Sequence, residues 1–199
     1  MALAPVNPPL GVFQHYYAGR PTTLVLKEKI MSWTGDDFSV KDTDGNVVCR
    51  CSGQAFSLRE RKIITDPNGN ELFHLRKKQL AIHSTWIGED AGGSEIFAIT
   101  KHFSLGTKMR AKFTNVSTGA RETISIRGGI LSQSADITIG EDGSGPAVAR
   151  IERKLFSLGE WAGQQTYTVT VAQGVDLALI AAICICFDEA KHEASAAAA

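Results

Sequence analysis

A chain of 199 residues fits one domain, or two small ones at most, and is long enough to bury a core without disulfide or metal staples. Its 21 basic and 21 acidic side chains cancel, so no global field draws it to nucleic acid or to an anionic membrane. The apolar share of 43% and charged share of 21% are those of a globular protein rather than a fibrous or disordered one.

Residues 1–20 carry Pro5, Pro8 and Pro9 and read as an extended arm. No basic n-region precedes an apolar run there, so the segment does not read as a secretory signal. From residue 21 the texture is β. Short runs rich in Val, Ile, Thr and Phe are separated by Gly, Asp and Asn clusters. Strands are predicted at Leu24–Lys29, Phe38–Lys41, Val47–Cys51, Lys62–Thr65, Glu71–Leu75, Ala81–Ile87, Ile96–Lys101, Met109–Asn115, Thr123–Arg127, Ala135–Ile139, Val148–Arg153 and Tyr167–Val171. A dozen strands suits a closed barrel or a sandwich. Two tight hairpins are the clearest units, since Asp44-Gly45 and Asn68-Gly69 supply the positive φ that such turns need. Asp37-Phe38-Ser39-Val40 is echoed by Asp136-Ile137-Thr138-Ile139, each followed by an Asp-Gly turn and an Arg. Duplication of a half-barrel and chance likeness between hairpins both explain that echo.

The texture changes at Gly174. Val175 to Phe187 is apolar at every position except Asp176. A helix apolar on all sides must be buried on all sides. At 1.5 Å per residue it spans about 20 Å, against about 30 Å for a bilayer core, so it reads as a core helix and not as a membrane anchor. Asp176 suits the positive end of its dipole. The Ala-rich tail, residues 191–199, is expected to be disordered.

The ordered motifs resemble the LURP-one-related family. The resemblance is carried by Phe38-Ser39-Val40-Lys41-Asp42-Thr43-Asp44-Gly45, Phe56-Ser57-Leu58-Arg59, Ile64-Thr65-Asp66-Pro67-Asn68-Gly69, Ala149-Arg150-Ile151-Glu152 and the Gly174-Val175-Asp176 opening of the apolar run. It covers Leu24 to Glu189 and lies in the order and spacing of the motifs. It implies a mainly β fold of the tubby C-terminal-like type: one domain over 21–190, a closed antiparallel barrel of about twelve strands around a central hydrophobic C-terminal α-helix. The family is related to the phospholipid scramblases, and its best-known members act in plant defence without an established enzymatic activity. Tubby proteins bind phosphoinositides through basic residues on the barrel, but those residues do not align here, so the resemblance carries over no lipid site.

Local charge supplies the candidates instead. Arg59, Arg61 and Lys62 precede one hairpin, and Arg76, Lys77 and Lys78 follow it. Lys101, Lys108, Arg110 and Lys112 lie in a stretch that holds no acid from Ile96 to Arg121. On a barrel rim such clusters suit an anionic head group, though solvated strand faces look the same. No nucleophile elbow, phosphate loop or zinc spacing is present. Asp42 to Gly45 mimics a calcium loop but lacks its distal ligands, and reads as a turn. His74 and His83 read as ordinary half-buried rings. Cys49, Cys51, Cys184 and Cys186 read as buried free thiols, which predicts a reducing, cytoplasmic setting.

The expectation is therefore a monomeric, non-enzymatic binding or regulatory module without cofactor or metal. It would meet a phosphoinositide membrane peripherally or meet a protein partner. A scramblase-like lipid handler and an enzyme with a site in the barrel mouth are the alternatives.

Overall fold

The computed structural model describes residues 2–27, 38–53, 61–79, 81–102, 107–128, 134–152 and 166–196. Twelve strands run in chain order: β1 Thr22–Lys27, β2 Phe38–Asp42, β3 Val47–Gly53, β4 Arg61–Thr65, β5 Glu71–Lys77, β6 Thr85–Glu89, β7 Glu95–His102, β8 Thr107–Thr114, β9 Arg121–Gly128, β10 Ser134–Ile139, β11 Ala147–Glu152 and β12 Thr166–Val171. Each pairs antiparallel with its sequence neighbours, and β1 closes the ring on β12, with Leu24 opposite Val169. A single helix, α1 (Leu177–Ala196), follows the last strand. All twelve expected strands exist. The largest shift is in β6, which starts at Thr85 rather than Ala81 because Ala81 to Ser84 form a bend.

Among the described residues the sheet closes on itself, so each strand has a neighbour on both sides and none is an edge strand. The hairpin turns repeat one device. Asp42 Oδ1 accepts from the Asp44 and Asn46 amides at 3.0 and 2.8 Å, and Asp66 Oδ1 accepts from Asn68 and Asn70 at 2.8 and 2.8 Å. At Asp42 burial opposes ionisation but is outweighed by the Asn46 side chain and these amides, and at Asp66 the Asn70 side chain leads, so both carboxyls lie below their ordinary pKa. Gly45 and Gly69 take φ of 85° and 91°. The Asp42 to Gly45 segment is therefore a turn whose carboxylate is already used.

Alternation sorts the side chains. Leu24, Val40, Ile64, Phe73, Ile99, Met109, Ile124, Ile137, Ile151 and Val169 are buried and share the inward parity of their strands. With strands about 4.8 Å apart and tilted by about 40°, twelve of them close at roughly 12 Å radius. A helix with its side chains takes about 5–6 Å of that and the inward side chains about 5 Å, so one helix fills the bore. That explains the composition of α1. Ala178, Ala181, Ala182 and Ala190 are buried beside Leu179, Ile180, Ile183, Ile185 and Phe187, and all four cysteines are buried and form no disulfide. The small residues keep the helix slim enough to pass. α1 runs on past Phe187, the expected end of the apolar run, to Ala196. Among the described residues, no helix is long and apolar enough to cross a membrane.

The N-terminal arm closes the hairpin end of the barrel. Val6 and Leu10 donate to Gln173 O and Gly174 O at 2.8 and 2.9 Å, and Ala18 donates to Val175 O at 2.9 Å. Gly174 takes φ of 85°, and a Cβ there would collide with the Val6 carbonyl. Asp176 joins arm to helix. Its Oδ1 caps α1 by accepting from Ala178 and Leu179 at 2.9 and 3.1 Å, while Oδ2 accepts from Val12 and Phe13 at 3.0 and 2.7 Å. Burial pushes its carboxyl up to about 6, against the pull of those four donors. Asn115 belongs to the same clasp: its amide bonds Gly11 N and Pro9 O at 3.2 and 3.0 Å and is buried, so the sequon that it opens is occupied by structure. Asp176→Ala strands four N–H groups and is expected to cost about 2–4 kcal/mol, read from urea unfolding. Asp176→Asn keeps one acceptor oxygen and is expected to fall between the two.

Candidate anion-binding face

Period two divides the expected basic residues between the two sides of the wall. Met109, Ala111 and Phe113 of β8 are buried in the bore, which turns Lys108, Arg110 and Lys112 outward in a row. Pairing with β7 sets His102 opposite Lys108 and Thr100 opposite Arg110. On the far side, β9 sets Arg127 opposite Lys108 and Ser125 opposite Arg110. His83, in the bend before β6, brings its ring to 5.4 Å from that of His102 at a tilt of 54°. The Lys101 amide donates to Ser84 O at 2.9 Å and ties that bend to β7.

The strip has two ends of different character. Glu141, in the β10–β11 turn, forms an ion pair with Lys112, and its backbone carbonyl accepts from Arg110 Nε at 2.8 Å. The hydrogen bond and charge of Lys112, with Arg110 behind, hold the Glu141 carboxyl below its ordinary value. A groove of about 510 Å³ at this end is lined by Glu95, Glu122 and Glu141 as well as Lys112 and Arg121. That end is balanced in charge. Towards His102 and Lys108 the sign is positive: burial, followed by the charges of Arg110, His83, Lys108 and Lys112, holds His102 below its ordinary pKa.

The other candidates lie elsewhere. Arg61 and Arg76 are register partners on the outer faces of β4 and β5. Arg76 Nε donates to Glu89 Oε1 at 2.7 Å, a bond to a nearly buried carboxylate that raises the Arg76 pKa further. Arg76 is three strands from β8 and Arg61 four, a quarter to a third of the way round the wall. Lys78 is exposed just past β5, and Lys77 shares the inward register of Trp86 at the barrel end and is half-buried. Arg59 lies outside the described residues.

Two residues expected at the surface are inside. Lys62 is 3% exposed and its Nζ meets Glu189 Oε1 of α1 at 2.9 Å. Lys101 Nζ donates to the Ala190 carbonyl at 2.8 Å. Both share parity with core residues, Lys62 with Ile64 and Lys101 with Ile99, and that parity is the signal that places them. With the Tyr167 hydroxyl donating to Asp188 Oδ2 at 2.7 Å, they form a polar clasp on the far half of the helix. Charge clustering along the sequence thus mixes two jobs, and strand parity separates them. His74 is half-buried, as expected, and its Nε2 is 2.8 Å from Glu71. His83 and His102 were legible as histidines, but their contact crosses 19 residues of sequence and needed the β6–β7 pairing. Among the described residues, no group of His, Cys, Asp and Glu is placed to hold a metal ion.

The fold fixes the class first: a closed twelve-stranded antiparallel barrel built around its own C-terminal helix. A crystal structure of a protein from Arabidopsis thaliana has the same fold, with a TM-score of 0.63 at 20% identity over 90% of this chain and 96% of that one. Sequence then places the chain: the LURP-one-related family profile matches residues 22–188, so the chain belongs to the LURP-one-related family. Protein LURP-one-related 15 of Arabidopsis thaliana is 26% identical over 188 residues, covering 92% of this chain and 86% of its own. Protein LURP-one-related 10 of the same plant is 24% identical over 191 residues, covering 92% and 97%.

Proposed function

We propose that the protein is a non-enzymatic docking module that meets anionic, phosphoinositide-bearing membrane with the outer face of β7 and β8. The observation that carries the reading is the outward row of Lys108, Arg110 and Lys112, extended by His102 and His83. Ile82, beside His83 and 90% exposed, supplies an apolar tip next to the charge and favours a membrane over a soluble anion. Glu141 offsets one of the three cations. Two charges at about 1 kcal/mol each, with about 1.5–3 kcal/mol for burying Ile82, give a dissociation constant near a millimolar. Docking is then peripheral and reversible, and the family's expected place in defence corresponds to tethering or regulation rather than turnover. A scramblase-like role would need α1 to leave a bore that buries it, and no observation favours that.

Co-sedimentation with phosphatidylcholine vesicles, with and without a phosphoinositide, tests the reading at low salt. Lys108→Gln with Arg110→Gln is expected to weaken binding about 30-fold. Ile82→Ser is expected to weaken vesicle binding while sparing a soluble inositol phosphate. Equal binding to both vesicle types, or an unaffected double variant, counts against the proposal. Absence of binding to either vesicle leaves an acidic protein as the partner of this face.

A further inference from the structure

We infer that docking at this face is proton-linked: His102 takes up a proton when an anionic lipid phosphate sits on Lys108 and Arg110, so the face binds more tightly in mildly acidic medium. This rests on the reading of the β7–β8 face as the docking surface and adds its regulation.

The geometry makes the case. His102 ends β7 directly across from Lys108, and its ring touches that of His83. Two imidazoles in contact beside two fixed cations are an awkward arrangement for a surface that only needs solubility. His74, by contrast, has Glu71 at 2.8 Å, whereas no carboxylate among the described residues contacts His102. The groups that face His102 are His83 from the bend before β6, and Lys108, Arg110 and Lys112 from β8. Beyond them lie Arg127 of β9, by register, and Glu141 of the β10–β11 turn. Thr85 and Thr100, whose hydroxyls are 3.3 Å apart, add only neutral groups. Glu141 stays ionised throughout the histidine range, so its field is constant there and contributes no slope.

With the face empty, burial first, and then the like charge that a proton on His102 would add beside Lys108 and Arg110, hold its pKa below the ordinary 6.5. A phosphate bound between those cations reverses the local field and favours imidazolium. The bound pKa then exceeds the free one, and binding takes up protons. By linkage, affinity is lowest above the bound pKa and rises as pH falls towards the free one. Each unit of difference is worth tenfold in affinity. A membrane reinforces the effect, because a surface potential of about −30 mV lowers the interfacial pH by roughly half a unit.

The test uses the full chain and vesicles of phosphatidylcholine with phosphatidylglycerol. That lipid's phosphodiester charge does not titrate in the histidine range, so any slope belongs to the protein. Dissociation constants are measured from about pH 7.5 to about pH 5.5, a range centred on the imidazole pKa. The wild type is expected to bind about tenfold more tightly at the acidic end, as a one-unit shift requires. His102→Gln is expected to bind more weakly and with a flat profile. In a second measurement, the His102 ring titration followed by NMR is expected to move up in sodium sulfate relative to sodium chloride of equal ionic strength. A wild-type profile without slope, a His102→Gln variant with the wild-type slope, or a ring titration indifferent to sulfate overturns the inference. If binding has no slope yet is lost in Lys108→Gln with Arg110→Gln, the docking reading stands and the linkage alone fails. Absence of binding to these vesicles at every pH overturns the inference, and absence of binding to phosphoinositide vesicles as well overturns the docking reading with it.

Discussion

Ending the chain at Gly174 is expected to abolish cooperative folding. Leu179, Ile180, Ile183, Ile185 and Phe187 of α1 are each no more than 2% exposed. At about 1.5–3 kcal/mol apiece their burial contributes roughly 8–15 kcal/mol gross. A domain's net stability is about 5–15 kcal/mol, so the wall alone cannot absorb that loss. Leu24, Val40, Ile64, Phe73, Ile99 and Ile137 would also face an unfilled bore, and the arm would lose Asp176. Leu177 contributes less, being half-buried where the helix enters. Circular dichroism against temperature and size-exclusion chromatography check this directly. A soluble truncated chain with a cooperative melt would refute it. Milder changes grade the same effect. Ile183→Ala is expected to cost about 2–5 kcal/mol through the cavity it leaves. Ala182→Leu is expected to cost about 1–3 kcal/mol, because the slim face of the helix has no room for more side chain.

The second large effect concerns the ion pair in the bore. Lys62 Nζ and Glu189 Oε1 are 2.9 Å apart, and both side chains are 4% exposed. Removing either partner leaves the other charge buried without its counterion. Lys62→Met and Glu189→Gln are each expected to cost about 3–5 kcal/mol in urea unfolding at neutral pH. Lys62→Met combined with Glu189→Leu is expected to recover most of that, since an apolar pair of similar volume has no desolvation penalty to offset. Simple addition of the two single losses would show that the residues do not act as a pair. Neither change touches the outer face of β8, so folded variants are expected to keep whatever vesicle binding the wild type shows, which would separate Lys62 from the basic residues it resembles in sequence.

How much of this could be read from the chain differs between fold and face. Gly45 and Gly69 sit in the turns that their Asp-Gly and Asn-Gly pairs announce, because a tight hairpin demands positive φ from whatever residue occupies it. β6 moved because Ala81, Ile82 and His83 have strand-like composition but form a bend that exposes Ile82. Propensity alone cannot see that Ile82 lacks a neighbour to pack on. Asp176 was legible as a helix-start residue from the dipole argument, yet its second role, holding Val12 and Phe13, joins segments 163 and 164 residues apart.

The basic residues show the boundary most clearly. That Lys62 and Lys101 are cationic, and that they stand near other cations, belongs to the sequence. Which side of the wall they occupy is a question of parity, and parity takes its meaning only once Ile64 and Ile99 are known to face a helix. The row Lys108, Arg110 and Lys112 has the opposite parity on β8 and so the opposite fate. Hydrophobic periodicity, turn chemistry and an all-round apolar helix too short for a bilayer were enough by themselves to define the strands and the buried core helix, because those features depend on neighbours a few residues away. The contact of His83 with His102, the reach of Glu141 to Lys112, and the burial of Lys62 against Glu189 were decided only by the closed barrel. Hydrogen-bond register between strands sets which side chains meet, and register is a property of the assembled sheet rather than of any one segment.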